Sequence, residues 1–220
     1  MGDEAVPSRT RVRVWDVPTR VAHWSMALCV GFSWWTGESG RLEWHRWSGY
    51  LLLGLVTFRV YWGFFGSETA RFRGFVRGPR AVGDYLRGRW APRPGHNPLG
   101  ALSVLALLAL LALQVGLGLF SVDVDGIESG PLSAWVSFKA GRAAAHWHGV
   151  VFNVLQAFIA LHVVAIGWYR IVRREKLLGA MLHGERELPG SWPQPARATA
   201  LRFVVGVLLA GLLTWLVMRV

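Results

Sequence analysis

Five of the chain's seven histidines, His23, His45, His146, His148 and His162, lie inside apolar runs. An ionisable side chain in apolar surroundings is costly and is kept there when it does something. An imidazole in that position can ligate a metal, relay a proton or hydrogen-bond one helix to another. His148 and His162 are separated by about 14 positions, which is about 21 Å along a helix and within about 40° of one face. His146 points nearly the opposite way and reads as a boundary residue. The lone cysteine, Cys29, excludes an internal disulfide framework and a Cys-based zinc site. It reads as a small buried apolar residue.

The elements that must position these imidazoles are five apolar runs of about 20 residues, the length that crosses a bilayer. They are Pro18–Thr36, Trp44–Phe65, Pro98–Phe120, Ala143–Ile171 and Thr199–Met218. Apolar residues make up 53% of the 220 residues, and thirteen tryptophans accompany them, many near the ends of the runs, where an interfacial belt is expected. The net charge of +11 suits membrane topology better than nucleic acid, because the arginines fall between apolar runs and not along one polar face. No nucleic-acid partner is expected. Basic residues crowd the N-terminal arm, residues 66–97 and residues 170–197, whereas the other two connections carry Glu38, Glu43, Asp123, Asp125 and Glu128. Lys and Arg collect on the cytoplasmic side, so the N-terminus is expected in the cytoplasm and the C-terminus in the periplasm of a multi-pass protein. The polar N-terminus has no signal-peptide core, and its Met-Gly start lacks the Ser or Thr of a myristoylation signal. Residues 77–90 read either as a basic amphipathic helix on the inner leaflet or as a solvated loop. SWPQPARA reads as a short Pro-rich linker.

Depth pairs the histidines. With a rise of about 1.5 Å per residue, His23 lies about 6 Å to the cytoplasmic side of its span centre and His162 about 7 Å to the same side. His45 lies about 14 Å and His148 about 13 Å to the outer side. Two imidazole pairs, each bridging two helices, suit a planar macrocycle whose iron takes one axial ligand from each face: two b-type haems stacked across the membrane. A zinc site needs about four ligands at one point. A proton relay could use two levels of histidine without matched depths, and plain helix packing remains the structural alternative. No C-x-x-C-H occurs, so covalently attached haem is not expected. Gly49, four residues after His45, and Gly149, after His148, could let a macrocycle lie against the backbone; close helix packing is the ordinary alternative. Arg20, Arg46 and Arg59 could pair with haem propionates, with snorkelling to headgroups the alternative for Arg20 and Arg46.

The stretches VWDVPTRVAHW (14–24), HRWSGYLLLGLVTFRVYWGFFG (45–66), ARFRGFVRGPRAVGDYLRG (70–88), GHNPLG (95–100) and HVVAIGWYRIVRREKLLGAMLHG (162–184) follow one another on successive spans. In them the chain resembles the bacterial di-haem cytochrome b561 family, which includes the cytochrome b subunits of nickel-iron hydrogenases. The resemblance implies an all-α integral membrane four-helix bundle with two b haems. It implies His23, His45, His148 and His162 as axial ligands, paired His23–His162 and His45–His148, and electron exchange between quinone and a redox partner outside the membrane. The expected organisation is a di-haem bundle over 1–184, a linker over 185–198 and an additional C-terminal transmembrane helix over 199–220. That fifth span leaves open whether it docks a partner or closes a homo-oligomer.

Three functions follow. The chain is an electron-transfer subunit of the inner membrane, joining the quinone pool to a periplasmic hydrogenase or cytochrome c. Or it is a stand-alone oxidoreductase acting on a small species such as superoxide; the acidic third connection counts against an anion and suits a basic cytochrome c. Or it is a haem-free membrane anchor. His96 and Asn97 could serve a quinone, with capping of the third span the alternative.

Overall fold

Asp16 starts the first helix. Its carboxylate Oδ1 accepts from the Thr19 amide at 2.8 Å, and Pro18 follows in the first turn, where a missing N–H costs nothing. The structure, a computed structural model, describes residues 9–91, 93–125 and 128–220. The Met-Gly start and the rest of the first eight residues lie outside the described residues.

Five long helices cover the five apolar runs: α1 (Val17–Glu38), α2 (Leu42–Phe65), α5 (Pro98–Phe120), α6 (Phe138–Ile171) and α8 (Ala200–Met218). Shorter helices α3 (Phe72–Phe75), α4 (Pro79–Leu86) and α7 (Leu177–His183) lie between them. Helices α5, α6 and α8 are long and apolar enough to cross a membrane. Polar residues, among them Arg20, His23, His45, Arg46 and Arg59, dilute the apolar character of α1 and α2. Large apolar side chains face outward all round, with Leu28 at 75%, Val164 at 67% and Leu208 at 65% exposure. Water would not tolerate that surface; lipid does.

Helix α1 packs on α2 and α5 on α6, while α2 bridges to α5 and receives α8 on its flank. Among the long helices, α6 packs closely on α5 alone. A gap therefore separates α6 from α1 and α2. The mid-bundle core is Cys29, Leu52, Val56, Leu111, Val115 and Leu155. Cys29 is buried and its thiol donates to the Ser48 carbonyl.

The all-α expectation needs one correction. Strands β1 (Arg9–Arg13) and β2 (Glu185–Pro189) form an antiparallel pair, with Arg11 opposite Glu187 and Val12 opposite Arg186. Alternation explains it. Val12, Val14 and Leu188 are buried beneath the ribbon, and above it Arg11 and Arg13 reach Glu185 at 2.5 and 3.4 Å. The stretch read as a linker thus opens with a strand. Its remainder is pinned too, for the Gln194 side chain bonds Arg11 and Arg13, and the Ala196 amide donates to Glu68. Residues 79–86 of the basic connection are helical, and Tyr85 ties that helix to Tyr169 of α6.

Asp16 also joins this sheet end to α2. Its Oδ2 accepts from Trp62 Nε1 at 2.9 Å and from the Ser67 hydroxyl. Removing the cap and stranding two donors should cost about 2–4 kcal/mol. Asp16→Ala is therefore expected to lower the thermal midpoint of the purified protein well below that of Asp16→Asn, which keeps an acceptor oxygen. Equal midpoints for wild type and Asp16→Ala would remove Asp16 from the framework.

Candidate functional site

The structure brings the four histidines together in two pairs. His23 of α1 faces His162 of α6 with ring centres 6.5 Å apart, and His45 of α2 faces His148 of α6 at 6.0 Å. An imidazole nitrogen sits about 2.0 Å from a coordinated metal and its ring centre about 1.1 Å farther, so two imidazoles on opposite sides of one metal put their ring centres about 6.2 Å apart. Both spacings have that width.

The outer nitrogens are oriented from the backbone. His45 Nδ1 donates to the Ser33 carbonyl at 2.8 Å, and His148 Nδ1 donates to the Gln114 carbonyl at 3.0 Å. A carbonyl only accepts, so Nδ1 carries the proton in both rings and Nε2 keeps a free lone pair. Such a bond is the usual support of a metal-ligating histidine. His162 Nδ1 lies 3.4 Å from the Ser103 hydroxyl, and His23 Nδ1 is buried without a partner.

Two imidazoles alone are a poor site for a bare ion, and no cluster of three or more His, Cys, Asp or Glu side chains fit to hold a metal occurs among the described residues. A macrocycle supplies the remaining ligands itself. A cavity of about 440 Å³ surrounds the His45–His148 pair, with Gly49, Gly149, Gln114 and Arg46 in its lining. A Cβ at Gly49 or Gly149 would meet nothing within 4 Å, so both glycines open onto free space. Two other glycines seat the rings: a Cβ at Gly118 would lie 3.0 Å from His148 Cε1, and one at Gly37 3.2 Å from His45 Nδ1. The residues present fit a planar group held by two axial imidazoles.

The remaining residues singled out in the sequence divide by location. Arg46 is exposed and lines the cavity, as do Asp123 and Glu128. Arg20 donates to the Leu182 carbonyl and keeps a buried Nε without a partner. Arg59 is buried at 6% exposure, with its guanidinium 5.5 Å from the Phe72 ring. His146 is exposed and stands edge-on to Trp147, away from both pairs. Asn97 caps α5, accepting from Gly100 N at 2.7 Å, and its amide donates to Tyr85 and Tyr169. His96 does not cap; its ring packs between Trp15 at 4.4 Å and Phe75 at 4.6 Å. Burial first, then the nearby Arg59, His162 and His23, push its pKa down to about 3.

Sequence reasoning missed Asp16, Gln114 and Gly118. Asp16 had a signal, an Asp ahead of a first-turn proline. Gln114 acts on His148 through its backbone carbonyl, which no side-chain pattern reveals.

A lipid-facing helical bundle with two internal imidazole pairs at two levels is the framework of a membrane redox carrier. The chain belongs to the prokaryotic cytochrome b561 family, whose model matches residues 14–184. It is similar to a probable Ni/Fe-hydrogenase B-type cytochrome subunit of Azotobacter chroococcum mcd 1, 28% identical over 84% of this chain and 92% of that protein. The probable Ni/Fe-hydrogenase 1 B-type cytochrome subunit of Escherichia coli (strain K12) is 25% identical over 79% of this chain and 89% of its own. A probable Ni/Fe-hydrogenase B-type cytochrome subunit of Bradyrhizobium diazoefficiens is 26% identical over 84% and 90%. No solved structure matches the chain.

His96 makes stability depend on pH. Unfolded, it takes a proton near pH 6.5; folded, it does so only near pH 3. In that window the unfolded chain binds more protons, so stability falls as pH is lowered. The thermal midpoint of wild type should drop between about pH 7 and about pH 5, and His96→Gln should lessen the drop. Parallel pH profiles for the two proteins would show that His96 does not contribute.

Proposed function

We propose that the chain is a di-haem b-type cytochrome that carries electrons across the bacterial inner membrane between quinone and a periplasmic redox partner. One observation carries this reading: two imidazole pairs, each with the spacing of a single metal, lie at two levels along α6. When bound, each haem supplies one-electron ferric–ferrous chemistry. His23 and His162 hold the haem at the sheet end, and His45 and His148 hold the one at the loop end. Ser33 and Gln114 fix the tautomers of His45 and His148. With one imidazole from each of two helices as its ligands, such a haem would be closed to oxygen and suited to electron transfer. Arg20 would bind a propionate at the sheet end and Arg46 one at the loop end, while Arg59, buried and outside every ion pair among the described residues, would lend the sheet end its charge; Gly49 would give the loop-end macrocycle room.

Residues 1–184 form this di-haem unit, α8 adds a fifth span, and the sheet end faces the cytoplasm, as the basic residues of 66–97 and 170–197 favour. The relatives named as hydrogenase cytochrome subunits support a hydrogenase as the outer partner.

A dithionite-reduced minus oxidised spectrum with haem quantified per chain tests the reading. Wild type should hold two b haems, and His23→Ala and His148→Ala should each lose one. One haem or none in wild type would sink the scheme. Gly118→Val should crowd His148 and lower occupancy of the loop-end haem alone. Full occupancy, or loss at both sites, would count against Gly118 as the seat of that ring.

A further inference from the structure

Arg59 is the sole charged side chain fully buried among the described residues. It does not snorkel: Val56, Trp62 and Gly63 of the same α2 stripe are buried with it. It belongs to none of the ion pairs among the described residues, and its Nη1 is buried without a hydrogen-bond partner. Asp16 is the carboxylate near enough to act on it, but the oxygens of Asp16 already serve Thr19, Trp62 and Ser67. Ala22, the residue before His23, packs against Phe58 and Trp62, the neighbours of Arg59 on α2, which sets Arg59 at the level of the sheet-end pair. Arg20 and Arg71 each add a guanidinium Nε that is buried without a partner. The loop end is built otherwise. Its cavity is lined by Arg46 and Arg142, Arg46 exposed and Arg142 partly so, and these are opposed by Glu38, Asp123 and Glu128.

Reduction of a haem adds one negative charge to its site. A fixed cation in a low-dielectric interior stabilises that charge, whereas exposed charges of mixed sign at a wet mouth are screened. Net charge and burial are among the levers by which a protein sets a haem potential.

We propose that Arg59 is a potential-setting residue: its buried charge holds the sheet-end haem at a higher reduction potential than the loop-end haem. The inference rests on the two-haem reading above. In the step it governs, one electron leaves the ferrous loop-end iron, which becomes ferric, and reduces the ferric sheet-end iron to ferrous. No bond forms or breaks and no proton moves. The transfer then runs downhill from the periplasmic to the cytoplasmic side.

The test is a spectropotentiometric titration of the purified protein, with His148→Ala used to assign the sheet-end component. Wild type should show two one-electron components, the higher at the sheet end. Arg59→Gln should lower that component and leave the other in place, and Arg59→Lys, which keeps the charge, should stay near wild type. A sheet-end component that is the lower of the two overturns the proposal. So does Arg59→Gln with both haems bound and midpoints unmoved, or Arg59→Lys falling as far as Arg59→Gln. If Arg59→Gln fails to retain the sheet-end haem, Asp16→Asn decides. Removing the opposing negative charge should raise the sheet-end midpoint, and a midpoint that stays or falls overturns the proposal. A wild-type protein without haem at these histidines fails the parent reading instead, and the spectrum distinguishes that failure directly.

Discussion

Four imidazoles held in two facing pairs inside an apolar bundle are the constraint around which the rest of the chain is arranged. Helix α6 contributes one ring to each pair, so its spacing of about 14 residues between His148 and His162 sets a depth difference of about 21 Å. The partners must match it from two antiparallel helices joined by a short connection. His23 lies about 15 residues before the end of α1 and His45 about 3 residues after the start of α2, a difference of about 18 Å along the bundle. The small remainder is within what helix tilt absorbs. A longer connection between α1 and α2, or one residue type moved by a turn, would break one pair or the other. The gap between α6 and the α1–α2 pair follows from the same requirement, because the rings and not the backbones meet across it.

The two ends of the bundle solve different problems. At the loop end the imidazoles are fixed by backbone carbonyls and open onto a cavity that reaches Asp123 and Glu128. At the sheet end the helices are tied down. Asp16 couples the start of α1 to the end of α2, the β1–β2 ribbon covers the join, and Trp15 and Phe75 enclose His96. Orphaned guanidinium nitrogens gather at this closed end, where water cannot satisfy them. That pattern favours an anionic group as the partner of Arg20 and Arg71.

Helices α5, α6 and α8 were legible because lipid imposes a length and an apolar composition that a linear scan detects; α1 and α2, with polar residues along them, meet the length but not that composition. The histidine pairs were legible because helical rise converts position into depth with no tertiary information. What escaped was everything that depends on folding back. Arg9 and Pro189 pair across nearly the whole chain, and neither strand is long enough to announce itself. The carbonyls of Ser33 and Gln114 are identical to every other carbonyl until the helices pack. Gly118 and Gly37 earned no notice while Gly49 did, since a glycine's neighbour across a helix interface is not written in its own flanks. His96 and Asn97 looked equivalent in sequence; only packing makes one a cap and the other a ring shielded by aromatics.

The fifth helix has a physical consequence for the site although it lies beyond the family match. Helix α8 packs along α2, where a Cβ on Gly206 would lie 2.6 Å from the Tyr61 ring, so only glycine permits that approach. Its Ala210 joins Phe58, Trp62, Ala22 and Ala70 in a second apolar cluster, and Phe203 stands edge-on to both Phe58 and Trp62. These residues flank Arg59 on α2. A charge so sheltered acts over a longer range than one at a wet surface. The added span thus packs apolar side chains against the stripe of α2 on which Arg59 lies.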